Sequence, residues 1–176
     1  MKRSKSVRAK IKISPMRLQH LLGLIEMGDS LSAETIRFMP FPFRSKKGLT
    51  RCQVIMSLST IPLLRKFLIR FFPSLAFTLF VATDKEKIVG LGWLTYGHDA
   101  GPVMCIADDY QNRGIGTMLL KRVIAAARVS GLNKLLLSVN KKNTRGIHFY
   151  KKFGFRVIGK EGQGLVMQLD LHSPRK

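Results

Sequence analysis

Apolar and basic residues alternate from Val7 to Ile13, with Val7, Ala9, Ile11 and Ile13 set against Arg8, Lys10 and Lys12. A period of two predicts an edge strand with one wet face. Ser14-Pro15 then reads as a helix start, Ser as the N-cap and Pro at the first helical position. Met16, Leu18, Leu21, Leu22 and Ile25 carry that helix to Gly28-Asp29. A second, short helix is predicted from Ser32 to Phe38, capped by Ser32, and Pro40-Phe41-Pro42-Phe43 breaks it. Lys46-Lys47-Gly48 makes a basic loop. Helical spacing returns between Thr50 and Phe72, with Ile61, Leu64, Phe67, Leu68 and Phe71 opposite Arg65, Lys66 and Arg70. Pro73 stops it.

The second half alternates more regularly. Leu75 to Ala82 and Ile88 to Tyr96 read as paired antiparallel strands around the turn Asp84-Lys85-Glu86-Lys87. Gly101-Pro102 opens a central strand, Val103 to Ala107. Gly114 to Ser130 is an amphipathic helix with the stripe Ile115, Met118, Leu119, Val123 and Ala126, and Gly131 fits the position after its end. Leu135 to Val139 is a short buried strand. Thr144 to Phe153 is a helix closed by Gly154, and Phe155 to Ile158 with Gly164 to Leu171 forms a last hairpin. The order β-α-α-(α)-β-β-β-α-β-α-β-β predicts an α/β fold: one mixed, mostly antiparallel sheet with helices on both faces. No repeat or Gly/Ser-rich linker divides the chain, so residues 1–176 are expected to form one domain, with a basic tail over 1–6 and a helical insertion over about 47–73.

Charge narrows the function. The 176 residues hold 31 Lys and Arg against 10 Asp and Glu, a formal charge of +21. Such a surface attracts phosphates, nucleic acid or anionic lipid, and few carboxylates remain to line an acidic pocket. With 45% hydrophobic residues the chain is expected to be globular. Cys52 and Cys105 are too few for a disulfide framework. The basic start lacks the apolar core of a secretory signal, and the uncharged run Phe71 to Thr83 is too short to span a bilayer. A cytoplasmic protein is the expectation. His20, His98, His148 and His172 are scattered without metal-ligand spacing, so no metal is expected.

Chemistry concentrates in Asp108-Asp109-Tyr110-Gln111-Asn112-Arg113-Gly114-Ile115-Gly116, between a strand and a helix. Glycines at such a turn let several backbone N–H groups converge at the positive end of the helix, which suits a phosphate or pyrophosphate. A dinucleotide fingerprint would need Gly where Leu119 stands. A Walker A loop would need Gly-Lys-Ser/Thr, and Gly116 is followed by Thr117-Met118. A turn shaped only by backbone geometry is the competing reading.

A second motif, Asn143-x-x-Gly146-x-x-x-Tyr150-x-x-x-Gly154-Phe155, follows a short strand. Together with Gln111-x-x-Gly114-x-Gly116, it resembles the GNAT superfamily of acyl-CoA-dependent N-acetyltransferases over Leu75 to Val157. The start, Ile11-Lys12-Ile13-Ser14-Pro15 with Ser30 to Phe38, and Asp108 to Gln111 are similar to the protein-lysine acetyltransferase subgroup. The resemblance implies acetyl-CoA as co-substrate, with its pyrophosphate on the backbone of Asn112, Arg113, Gly114, Ile115, Gly116 and Thr117 and with Gln111 orienting the loop. It implies that the pantetheine arm pairs with the strand ending at Ile106 and Ala107. A backbone N–H there polarises the thioester carbonyl, Ile106 being preferred over Cys105 or Met104. Tyr150 is implied as the acid that protonates the departing thiolate; packing against Phe149 and Phe153 is its alternative. Asn143 either bonds the pantetheine amides or caps its helix.

The resembled subgroup often carries Glu where this chain has Gly101. His98 and Asp99 are the nearest ionisable candidates for a base, against a water relay or an acceptor that arrives neutral. Any of Lys121, Arg122, Arg145, Lys151 and Lys152 could face the coenzyme's 3′-phosphate. The expected function is transfer of acetyl from acetyl-CoA directly to an amine on a protein or on a small neutral or anionic molecule. The alternative is a GNAT-fold acyl-CoA-binding module, weakly catalytic, that docks on nucleic acid, on a nucleic-acid-bound protein or on an anionic surface.

Overall fold

The computed structural model describes residues 11–38, 61–71 and 76–171. The basic tail, the Pro40 to Phe43 breaker, the loop at Lys46-Lys47-Gly48, Cys52 and the stop at Pro73 lie outside the described residues. Seven strands are present: β1 (Lys12–Pro15), β2 (Phe77–Asp84), β3 (Lys87–Thr95), β4 (Pro102–Ile106), β5 (Lys134–Asn140), β6 (Arg156–Glu161) and β7 (Gly164–Asp170). The helices are α1 (Leu21–Asp29), α2 (Ala33–Arg37), α3 (Pro62–Phe71), α4 (Ile115–Val129) and α5 (Thr144–Lys152), with 3-10 turns at Leu18–His20 and Asp108–Tyr110.

Two antiparallel sheets form, in the orders β1-β2-β3-β4 and β5-β7-β6. Alternation along β2 sends Leu79 and Val81 to one face and Phe80 and Ala82 to the other. On the first face Leu24 and Met27 of α1 and Ile36 of α2 pack with Leu91 and Trp93. On the second, α4 brings Ile115 and Leu119 against Ala82 and Val89, while Leu120 and Val123 join Leu94, Leu135 and Met167. Helices thus cover both faces, and β3 is buried along nearly its whole length.

The start of the chain differs from its sequence reading. Ser14-Pro15 does not begin a helix; the two residues pair with Val81 and Phe80 as the end of β1. Because β1 is an edge strand, the missing N–H of Pro15 costs no ladder bond. The helix begins only at Leu21 and buries Leu24 and Met27, leaving Leu18 and Leu22 in solvent. Strand β4, expected to be central, ends its sheet and faces β5 across a gap.

Gly101 explains that gap. The N–H of Leu136 donates to the Ala100 carbonyl at 2.8 Å. A Cβ built on Gly101 would overlap the Leu136 carbonyl. The residues just before β4 and the third residue of β5 therefore touch, and among the described residues no strand pairing continues between the two strands. Beyond the contact, Val103 to Ile106 and Leu137 to Val139 line one cleft. The absent carboxylate at Gly101 is thus a packing requirement: this backbone has no room for any side chain there.

Gly101→Ala should destabilise the fold by at least about 2 kcal/mol, as overpacking against immovable backbone does. Urea unfolding monitored by tryptophan fluorescence of Trp93 measures it. An unchanged midpoint would mean that the two strands can part without cost.

Candidate active site

Strand β4 presents its backbone to the cleft in alternation. Ala107 donates its N–H to the Val89 carbonyl at 3.0 Å, and Thr95 donates to Gly101 at 3.0 Å. In an antiparallel pair this places Cys105 among the residues bonded to β3, and turns the N–H groups of Ile106 and Met104 away from β3. Ile106 therefore keeps a donor for a ligand, with Met104 as the neighbouring one. Ala107 and Cys105 have theirs engaged with β3, which removes Cys105 as the alternative donor and leaves Ala107 no free N–H for the coenzyme arm. Cys105 is also inert as a nucleophile: burial, helped by the charge of Asp108, pushes its thiol up to about 12.

The turn after β4 is held by a carboxylate. Asp108 accepts hydrogen bonds from the Ser32 N–H at 2.8 Å, the Ser32 hydroxyl at 3.1 Å, the Thr35 hydroxyl at 2.6 Å and the Gln111 amide at 3.1 Å. Burial alone would raise this carboxyl; the bonds from Thr35 and Ser32 outweigh it and hold the group below the ordinary carboxylate value. The Gln111 amide also reaches the Ile106 carbonyl and the Thr35 hydroxyl, each at 3.2 Å. The end of β4, the turn and the first turn of α2 are one network. Ser32 caps α2 as expected, accepting from the Thr35 N–H at 3.2 Å.

Past Gln111 the chain takes left-handed conformations at Asn112 (φ 58°) and Gly114 (φ 80°). Gly114 is the N-cap of α4, and no side chain caps that helix. The first backbone bond of the helix runs from Met118 N–H to the Gly114 carbonyl at 3.2 Å. The N–H groups of Ile115, Gly116 and Thr117 precede it and are free of intrahelical partners. The Arg113 guanidinium sits 4.9 Å from the ring centre of Tyr110, whose hydroxyl donates to Asp84 at 3.0 Å.

Helix α5 forms the facing wall. Asn143 caps it, its Oδ1 accepting from the Gly146 N–H at 2.8 Å, so in this structure the capping role is filled. A Cβ on Gly116 would stand 3.4 Å from the Phe149 ring, which measures how closely α4 and α5 approach. Tyr150 stacks edge-on against Phe149 at 5.3 Å and Phe155 at 5.5 Å. Burial pushes its phenol well above the ordinary value, and its hydroxyl has no hydrogen-bond partner among the described residues. Packing and a free hydroxyl coexist at this residue.

Of the five cations set around this region, Lys121, Arg145 and Lys152 line the cleft, and Arg122 and Lys151 do not. His98 and Asp99 pair with each other at 3.2 Å in solvent, before β4 begins. Five strand residues at about 3.3 Å each separate them from the turn, so neither can touch a group bound at Ile106. Sequence reasoning missed Glu34 and Arg37 of α2 and Phe38 at its C-cap, which line the cleft. It also missed the Asp108 tether, whose partners lie more than seventy residues away along the chain. No local spacing signals such a contact.

Residues 76–157 match the family model for the acetyltransferase (GNAT) domain. The peptidyl-lysine N-acetyltransferase YjaB of Salmonella typhimurium is 38% identical over 79 residues, 44% of this chain and 49% of that protein. A mycothiol acetyltransferase of Rhodococcus jostii is 31% identical over 93 residues, 48% of this chain and 30% of that one. The chain thus spans about half the length, or less, of these curated relatives. In fold it resembles the PaiA N-acetyltransferase of Thermoplasma acidophilum in complex with coenzyme A, with a TM-score of 0.69 at 20% identity, covering 91% of this chain and 98% of that one. The GNAT domain of S. lividans PAT gives 0.68 at 18% identity, covering 91% and 90%. Among the described residues no helix is long and apolar enough to cross a membrane.

Asp108→Asn should lower stability at pH 7 by about 1–2 kcal/mol, the scale for hydrogen bonds to a partly exposed charge. The native carboxyl is depressed, so its contribution is present above the unfolded value near 3.9 and fades as pH falls through the native value. Denaturation of both proteins from pH 7 to pH 3 should show the gap close on acidification. A gap constant with pH would assign the loss to something other than the carboxylate.

Proposed function

Residues 76–157 carry a GNAT acetyltransferase domain within a GNAT fold, and from that premise we propose that the protein transfers acetyl from acetyl-CoA directly to an amine. One observation carries this reading: the free strand edge at Ile106 and the uncapped N-terminus of α4 open onto the same cleft. Both offer unpaired N–H donors, one suited to a carbonyl and the other to a pyrophosphate.

The roles follow from these donors. Asn112, Arg113, Gly114, Ile115, Gly116 and Thr117 wrap the pyrophosphate with backbone amides, while Gln111 fixes the turn through Ile106 and Asp108. The arm of the coenzyme lies along β4, where the Asn143 side chain has its amide N–H₂ still available. Ile106 N–H holds the thioester oxygen as charge develops on it. The amine nitrogen bonds to the acetyl carbon, the C–S bond breaks, and Tyr150 supplies the proton that the thiolate takes. A phenol kept neutral by burial has that proton at every physiological pH.

The acceptor is a single amine on a protein or on a neutral or anionic small molecule. After Tyr110 the only carboxylates are Glu161 and Asp170, against cations from Arg113 to Lys160. Such a field repels polyamines and favours the neutral form of one approaching amine. Free-thiol release with spermidine, a neutral peptide amine and an acidic peptide amine tests this at two salt concentrations. Faster turnover of spermidine at both would reverse the assignment. A second reading, docking on nucleic acid, is favoured by one fact: 31 Lys and Arg stand against 10 Asp and Glu, so most of the cations have no carboxylate to neutralise them. Anisotropy of a labelled RNA in a salt series reads it out, through the slope that phosphate contacts impose.

Gly114→Asp should bind acetyl-CoA at least about 10-fold more weakly, one interaction's worth. A Cβ there meets no protein atom, and Asp is among the few residues that tolerate this φ. Its carboxylate would take the helix amides for itself, as an N-cap does, so the variant should fold while losing the ligand. Calorimetric titration decides it; parental affinity would mean that the pyrophosphate sits elsewhere.

Tyr150→Phe should bind acetyl-CoA and turn over about 10²-fold more slowly, the usual contribution of a positioned acid. Single-turnover thiol release checks it. An unchanged rate would leave Tyr150 only its packing against Phe149 and Phe155.

A further inference from the structure

Five carboxylates line the cleft: Glu34, Asp99, Asp108, Glu161 and Asp170. Four are unsuited to act on a group bound at the end of β4. Asp108 is saturated by Ser32, Thr35 and Gln111. Asp99 stands beyond the opposite end of β4 beside His98. Asp170 lies across from Lys134, at the start of β5, and accepts from the Gln168 amide. Glu161 is on β6, separated from β5 by the whole of β7. Glu34 remains. It is exposed, and it has no hydrogen bond or ion pair among the described residues. Its neighbour Thr35 is one amide nitrogen away from the Ile106 carbonyl, because Gln111 Nε2 bridges the two at 3.2 Å each.

We propose that Glu34 receives the acceptor as its ammonium ion and takes the proton that must leave before attack, and that Asp108 is the positioning residue that sets where Glu34 stands. The assignment rests on the acetyl-transfer reading above. The carboxylate removes one proton from R–NH₃⁺ and leaves R–NH₂. The amine nitrogen then forms the C–N bond as the C–S bond breaks. Tyr150 gives its proton to the thiolate and the amide's second proton returns to the Tyr150 oxygen, so one proton is released overall. Glu34 is exposed, so water carries the proton off once it is taken. Gly101 leaves no carboxylate at the start of β4, and Glu34 reaches the cleft from the other side of the turn.

The test compares two nucleophiles at neutral pH with saturating acetyl-CoA. n-Butylamine is protonated there and hydroxylamine is not. Glu34→Gln should lower kcat/KM for n-butylamine at least about 10-fold. It should leave enzyme-dependent acetylation of hydroxylamine within about twofold, after subtraction of the uncatalysed rate. Glu34→Asp, which keeps the charge, should restore part of the n-butylamine rate. Thr35→Val, which cuts one tether to Asp108, should repeat the selective loss in milder form. Equal losses for both nucleophiles, or none for n-butylamine, would overturn the role of Glu34. Absence of turnover of either nucleophile by the parent protein would overturn the acetyl-transfer reading, and this assignment with it.

Discussion

The contact of Gly101 with the Leu136 carbonyl is the constraint on which the rest depends. Two strands joined by a crossover helix would ordinarily pair along their length and close the sheet. Here Gly101, just before β4, presses on Leu136 of β5 without a side chain between them, and the strands do not pair beyond. The separation leaves the Ile106 amide without a strand partner. An unpaired donor at a sheet edge is costly unless water or a ligand satisfies it. The same geometry that splits the described strands into sheets of four and three therefore leaves the edge that the proposed function assigns to the coenzyme.

A gap alone does not make a site; its ends must be fixed. Asp108 fixes one end by binding the first turn of α2 to the turn after β4. Gly114 fixes the other by reversing the chain into α4 with its first amides unused. The two devices are of opposite kind. The carboxylate is satisfied four times over and serves as a tether, while the helix N-terminus has no side-chain cap and is the receptor in the proposed function.

How much of this was legible in the sequence varies with the range of the interaction. Strands β2 and β3, helix α4 and the last hairpin were readable because their periods are local and long. The glycine turn was readable because a strand, two glycines and an amphipathic stripe occur together within about twenty residues. The first helix was misplaced because Ser14-Pro15 is a good local start signal, and nothing local says that Val81 and Phe80 claim those residues for the sheet. Gly101 read as a missing catalytic group because its reason is a carbonyl in another strand. Asp108 read as part of a motif, since its partners Ser32 and Thr35 are contributed by a helix on the far side of an insertion. Single-residue roles that depend on tertiary contact are invisible to spacing.

In the proposed reaction, the proton balance at the cleft would follow from two opposed electrostatic effects. The excess of Lys and Arg makes the surrounding potential positive, which lowers the pKa of an amine and would also lower that of a phenol. Tyr150 escapes the second consequence because burial among Phe149, Phe153 and Phe155 disfavours its anion more than distant, solvated cations favour it. An approaching amine remains partly in water and is subject to the cations alone. The field therefore assists the group that must lose a proton, and the aromatic wall protects the group that must keep one. Both effects act in one cleft without conflict because screening by water falls between them: the amine arrives on the wet side, where α2 stands, and the phenol waits on the dry one, under α5.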